Sequence, residues 1–210
     1  DPQTIVVVGP GAGLVQNAYV YEELTASGYK VVPVYSREYD AGPDGKYLYP
    51  PGYKKGAPDL RFNGGVNLGT FAADVVMPVI RTLVAEGCGP AAIITGSRGG
   101  QVVVPQLWKC GWRGPSIIIN GGCVATSVVP ADPVRLVLIT GGKDYFMTKD
   151  PRATALALKK ENRKSIVALY HNPVEPHMPE QLGGGVLRQL VEMACLGSFD
   201  IVADAVWPSG

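Results

Sequence analysis

What this chain lacks narrows its function more than what it has in plenty. Among its 210 residues are four cysteines, Cys88, Cys110, Cys123 and Cys195, with no CxxC pair and no metal-ligand spacing. Buried, reduced thiols are the expectation in a chain with this much apolar content. Charge of one sign is also missing: 19 basic and 18 acidic side chains leave a net charge of +1, with no basic stripe, so nucleic acid is not an expected partner. No apolar run approaches the roughly 20 residues that cross a bilayer, so no integral membrane segment is expected. The opening Asp1-Pro2-Gln3-Thr4 has neither the charged start nor the apolar middle of a signal peptide. The corresponding expectation is the cytoplasm or another soluble compartment, and it leaves room for a targeting segment upstream. Histidine is scarcest of all, with two in the whole chain, His171 and His177, both in one short segment.

Against these absences stand 46% hydrophobic residues and high counts of glycine (27) and proline (18). Such a composition suits one core with many shaped turns, and the length suits one α/β domain spanning 1–210. Thr4-Ile5-Val6-Val7-Val8 is a β-branched run of the kind buried on both faces in a parallel sheet. Helical spacing continues through Leu14, Ala18, Tyr21 and Thr25, with Gly28 as a stop. Lys30 to Tyr35 is the next strand, in which Pro33 predicts an edge position or a bulge. From Ser36 to about Val66 no period holds, and the tyrosines of 47–53 are expected either to pack on the body or to line a functional loop. Further on, strands at 91–94, 115–120, 134–139 and 165–170 alternate with helices at 72–86, 99–108, 153–161 and 185–196. The alternation predicts a mostly parallel, doubly wound sheet with helices on both faces and no large lid.

Two glycine-rich turns compete for the chemistry. Gly9-Pro10-Gly11-Ala12-Gly13 comes after a strand and opens a helix, but Leu14 stands where a G-x-G-x-x-G fingerprint needs its third glycine, and there is no Gly-Lys-Ser/Thr of a P-loop. A nucleotide-binding domain is therefore the weaker reading, and no cofactor is expected. The other turn is Thr95-Gly96-Ser97-Arg98-Gly99-Gly100, directly after the strand at 91–94. A nucleophile elbow turns the chain sharply from strand to helix and needs small residues two before and two after the serine. Gly99 satisfies that need, and Thr95 is larger than the usual glycine. The bland alternative is an ordinary strand-to-helix turn, or an anion-binding loop around Arg98.

Two later strand ends add weight to the elbow. The strand ending at Ile139 runs into Thr140-Gly141-Gly142-Lys143-Asp144, and the strand ending near Tyr170 runs into the segment holding both histidines. Serine, aspartate and histidine thus sit after three successive strand ends in the order the elbow-type hydrolases use. Asp150 and Asp132 compete with Asp144, but Asp150 precedes Pro151 at an expected helix start and Asp132 precedes Pro133 in an expected turn. His177, in a loop long enough to reach the elbow, is preferred over His171 at the strand end, which is expected to be a supporting or surface residue. Glu175 is expected to be a solvated loop residue, and Trp108 a core residue.

Taken in order, these motifs resemble a small α/β-hydrolase of the dienelactone-hydrolase or serine-esterase type. Gly9-Pro10-Gly11 occupies the place of that family's His-Gly-X loop, Gly141–Asp144 matches its Gly-X-X-Asp segment, and Pro176-His177-Met178 its Gly-His-X segment. The resemblance implies a serine hydrolase, a carboxylesterase or thioesterase, working through an acyl-enzyme on a small or carrier-bound acyl substrate. It implies Ser97 as nucleophile, His177 as base and Asp144 as the residue orienting it. Backbone N–H groups of Arg98 and of Gly11 or Ala12 would line the oxyanion hole, since Pro10 has no N–H to give. The contrasting class is a non-catalytic module of the same fold that binds a ligand or partner.

Overall fold

The computed structural model of the chain describes residues 2–9, 18–34, 68–121, 124, 128–146, 150–177 and 185–196. The irregular stretch 36–66, with its tyrosines, lies outside them, as does Cys123. Among the described residues six strands form one sheet: β1 (Thr4–Val8), β2 (Lys30–Val34), β3 (Pro90–Gly96), β4 (Ser116–Ile119), β5 (Arg135–Gly141) and β6 (Ile166–Asn172). Their order is β2-β1-β3-β4-β5-β6, and every neighbouring pair is parallel.

The continuous apolar runs explain why the sheet is covered twice. Side chains alternate across a strand, so a run without polar interruption must bury both faces. Ile5 and Val7 of β1 join a core with Leu24 of α1 (Ala18–Ala26) and Leu187, Leu190 and Val191 of α5 (Val186–Leu196). Val6 and Val8 point the other way, into a core with α2, α3 and α4. Helix α2 is built of Leu68–Phe71, Ala72–Val76 and Met77–Ala85; α3 of Gly99–Val103 and Val104–Lys109; α4 is Pro151–Glu161. The arrangement is the doubly wound one the sequence predicts, consistent with an α/β-hydrolase-like fold and without a large lid insertion among the described residues.

Several local expectations hold for the reasons that generated them. Pro33 lies on β2, an edge of the sheet, where a missing N–H costs no ladder bond. Gly28 takes a φ of 88° after α1. Asp150 caps α4, its Oδ1 accepting from the Arg152 N–H at 3.0 Å, with Pro151 behind it and Lys159 and Lys160 in the last turn. Trp108 is buried.

Other features depart from the expectation. Ala72–Val76 and Gly99–Val103 are π-helical turns, each with a proline, Pro78 or Pro105, within two residues of its end. A proline inside a helix lacks the N–H for the i−4 carbonyl and its ring strikes it, and a widened turn just before relieves the clash. Cys88, Cys110 and Cys195 are unpaired as expected but only half-buried. Strand β6 runs on to Asn172, because Thr140 and Gly141 of β5 pair with His171 and Asn172; His171 therefore sits inside the strand and not after it. No helix among the described residues is long and apolar enough to cross a membrane.

Two glycines bring α3 close against β4. A Cβ on Gly100 would stand 2.1 Å from Ile118 Cγ2, and one on Gly121 would stand 2.3 Å from the same methyl and 3.4 Å from Gly100 Cα. The two glycines let the start of α3 rest directly on the turn after β4. Gly100→Ala is expected to lower unfolding free energy by about 1–3 kcal/mol, the usual cost of forcing an extra carbon into a packed contact. Urea unfolding monitored by tryptophan fluorescence measures this, and a loss under about 0.5 kcal/mol would contradict the close approach.

Candidate active site

In a parallel sheet the carboxyl ends of the strands share one edge, where connecting loops can converge. β3 ends in Gly96, and Ser97 comes next with φ of 47°, a left-handed conformation that a non-glycine residue seldom takes. Two backbone bonds hold it there: its N–H donates to the Ile119 carbonyl at 2.8 Å, and its carbonyl accepts from the Gln101 N–H at 3.1 Å. This is the sharp strand-to-helix turn that presents a side chain above the sheet. The oversized Thr95 is fully buried, with Oγ1 at 3.5 Å from the Ile117 carbonyl, and Gly99 is buried beneath the turn.

The loops after β5 and β6 are stitched to each other. Gly142 N–H donates to the Asn172 carbonyl at 2.8 Å, and Lys143 N–H to the Glu175 carbonyl at 2.9 Å. The glycines are what permit this: a Cβ on Gly141 would lie 2.3 Å from the Glu175 oxygen, and one on Gly142 2.6 Å from Pro173 Cα. Asp144 closes the first loop with its carboxylate fully buried, Oδ1 accepting from the Phe146 N–H at 3.0 Å. His177 ends the described part of the second loop.

These loops bring Ser97, His177 and Asp144 together. His177 Nε2 lies 3.0 Å from Ser97 Oγ, a hydrogen bond, and His177 Nδ1 lies 2.9 Å from Asp144 Oδ2. The second pair meets by distance but not in hydrogen-bond alignment, and neither buried atom has another hydrogen-bond partner. Catalytic hydrogen bonds are often misaligned in a resting site and tighten around substrate. The arrangement is geometrically that of a Ser-His-Asp triad. Phe146 packs its ring 4.7 Å from the His177 ring and 4.6 Å from that of Tyr145; both aromatics are exposed, Tyr145 at 81% and Phe146 at 63%.

The competing residues lie elsewhere. His171 Nδ1 is 2.9 Å from Thr140 Oγ1 across the β5–β6 pair. Asp132 faces Arg113 at 3.4 Å, and Asp150 caps α4. Glu175 is a correction: it is buried, at 1% exposure, because the loop it belongs to is drawn down onto Gly141. Arg98 is exposed at the start of α3, ahead of the first helical hydrogen bond from Gln101 to Ser97. Gly11 and Ala12 lie outside the described residues, but Gly9, bonded to the Val34 carbonyl at 2.9 Å, leaves β1 beside β3. Burial, the larger influence, pushes the Cys195 thiol up from its ordinary range against the pull of Arg135, and so disfavours the thiolate.

One residue of this edge escapes a sequence reading. Asn120, directly after β4, is buried, has φ of 47°, and reaches both the Asp144 and the His177 loops with its side chain. The one signal in the sequence is Asn120-Gly121-Gly122, a turn-forming run at a strand end.

No family model matches the chain, and no curated protein matches it. Among solved structures it is similar to the NocB thioesterase domain from the nocardicin cluster, with 14% identity and a TM-score of 0.47 over 94% of this chain and 95% of that one. A likeness at that identity and score supports no functional inference, so the chemistry rests on the geometry.

The left-handed Ser97 makes the elbow testable without any substrate. An L-residue there costs about 1–2 kcal/mol that glycine does not pay. Ser97→Gly is therefore expected to unfold at higher denaturant concentration than Ser97→Ala, with about 1 kcal/mol between them. Equal stability of the two variants would mean that the turn carries no strain.

Proposed function

We propose that this chain is a serine hydrolase of the dienelactone-hydrolase or serine-esterase kind, cleaving an ester or thioester through an acyl-enzyme. The observation that carries the reading is the 3.0 Å contact of His177 Nε2 with Ser97 Oγ, backed by the buried Asp144 carboxylate 2.9 Å from Nδ1. A serine hydroxyl is a weak nucleophile near neutral pH and needs a base at this distance.

In the proposed cycle, Ser97 Oγ attacks the carbonyl carbon as its proton passes to His177 Nε2. Asp144 stabilises the imidazolium that forms and holds Nδ1 as the protonated nitrogen. The negative charge moves to the former carbonyl oxygen, met by the backbone N–H of Arg98 and one from Gly11 or Ala12; one such donor contributes about 3 kcal/mol. Collapse of the intermediate expels the alcohol or thiol, which takes the proton from His177. Water then repeats the sequence on the acyl-serine, with His177 again as base, releasing the acid and restoring Ser97. Two features support an acyl substrate in soluble or carrier-bound form: the exposed Tyr145–Phe146 pair beside His177 offers an apolar surface, and among the described residues α4 is the one element between β5 and β6.

A fluorophosphonate probe is expected to label the wild-type chain and to leave Ser97→Ala unlabelled; labelling that survives the substitution would sink the assignment. On p-nitrophenyl esters and acyl thioesters, Asp144→Asn is expected to lower kcat by about 10⁴-fold, because the amide favours the wrong tautomer of His177.

A further inference from the structure

We propose that Asn120 is the positioning residue of this site: a single buried amide that fixes the backbone of His177 relative to the Asp144 loop and to the elbow. The proposal rests on the hydrolase reading for its kinetic consequences but not for its structural one.

Asn120 touches two parts of the site directly and adjoins the third through Ile119. Its Nδ2 donates to the His177 carbonyl at 2.8 Å and to the Pro176 carbonyl at 3.2 Å, while its Oδ1 accepts from the Gly141 N–H at 2.8 Å. Its own N–H donates to the Ile139 carbonyl at 2.8 Å, and the carbonyl of the preceding residue, Ile119, accepts from the Ser97 N–H at 2.8 Å. A backbone group could not serve these partners at once, because they converge from two loops onto one point. An amide carries two donor hydrogens and an acceptor oxygen on a short, planar end, which matches the demand atom for atom.

The backbone conformation supports the same assignment. Asn120 holds φ at 47° while only 2% exposed to solvent. Asparagine tolerates the left-handed region better than most residues, so the site combines a conformation glycine would suit best with a side chain glycine lacks. Nor does the described part of the 176–177 segment form any regular element. Of the bonds that hold it, one from Asn120 acts on the carbonyl of His177 itself and a second on that of Pro176. Loss of the amide would free the imidazole to drift from Ser97 Oγ, and a misplacement near 1 Å costs about 10²-fold in rate.

The test uses Asn120→Asp and Asn120→Gly beside a matched control. The aspartate keeps the acceptor for Gly141 but turns an oxygen toward the two loop carbonyls; the glycine keeps the left-handed φ and removes the amide. Asn162→Gly is the control, since Asn162 is also buried and its Nδ2 also binds loop carbonyls, those of Pro130, Ala131 and Asp132, from its place between α4 and β6. Both Asn120 variants are expected to lose about 10²-fold in kcat on a p-nitrophenyl ester and in fluorophosphonate labelling rate, with KM within about two-fold. Asn162→Gly should lower thermal stability but leave kcat and labelling unchanged. The ring resonances of His177, one of two histidines and assignable by substitution, should shift in the Asn120 variants and stay in place in Asn162→Gly. Wild-type kcat in folded Asn120→Gly, or equal losses in Asn162→Gly, would overturn the proposal. Should the wild type neither label nor turn over, the hydrolase reading fails alone: shifted His177 resonances would still support the positioning role, and unshifted ones would overturn it.

Discussion

The contact between the Gly141–Gly142 backbone and the loop after β6 sets the geometry of everything at the carboxyl edge of the sheet. With no side chain on either glycine, the Glu175 carbonyl and Pro173 can approach to distances that any Cβ would forbid. The demand is for space and not for an unusual φ, and two backbone hydrogen bonds from Gly142 and Lys143 lock the approach. The approach of the two loops is thereby a property of main chain, and the Asn120 amide holds the far end at the His177 carbonyl. That is how a carboxylate and an imidazole contributed by different strands come to stand 2.9 Å apart.

Holding these groups costs free energy that the core must offset. A buried carboxylate loses hydration, and Asp144 recovers it from the Phe146 N–H and from proximity to His177. Ser97 and Asn120 both keep left-handed backbones at neighbouring strand ends, a cost of roughly 1–2 kcal/mol each for an ordinary side chain. Strain of this kind persists only where the surroundings over-determine it. Here the surroundings are two apolar clusters, one on each face of a sheet whose inner strands are buried apart from the first residues of β3 and β5. The rigid sheet and the strained edge are two sides of one arrangement.

The same division between local and long-range constraint decides what was legible in the sequence. The β-branched runs announced a sheet buried on both faces, Pro33 its edge, Asp150 a helix cap, and the order of Ser97, Asp144 and His177 the convergence of three strand ends. The first three are local signals, and the last needs only that the strand ends of a parallel sheet share one edge. Long-range contacts between particular loops were not legible. Glu175 looked solvated because nothing nearby says that Gly141, far back in the chain, will draw its loop inward. His171 looked like a strand-end residue because the extra register of β6 is set by pairing with Thr140. Asn120 was invisible for the same reason: its partners Pro176, His177 and Gly141 are remote in sequence, and an asparagine before two glycines signals only a turn.

Thr95 shows why departure from a motif need not mean loss of the site. An elbow needs small residues near its serine so that strand, turn and helix can pack without collision. In this chain the demand is met at a different place. Thr95 is accommodated in the sheet interior beneath Ser97, and the close approach falls at Gly100 at the start of α3 and Gly121 after β4, both against the Ile118 methyl. Since Ile119, two residues before Gly121, also accepts the Ser97 N–H, the end of β4 supports Ser97 from the side while α3 supports it from behind. A glycine two before the serine is then one solution among several to a steric problem. What the proposed chemistry requires is a left-handed Ser97 with its hydroxyl within reach of His177, and both features are present.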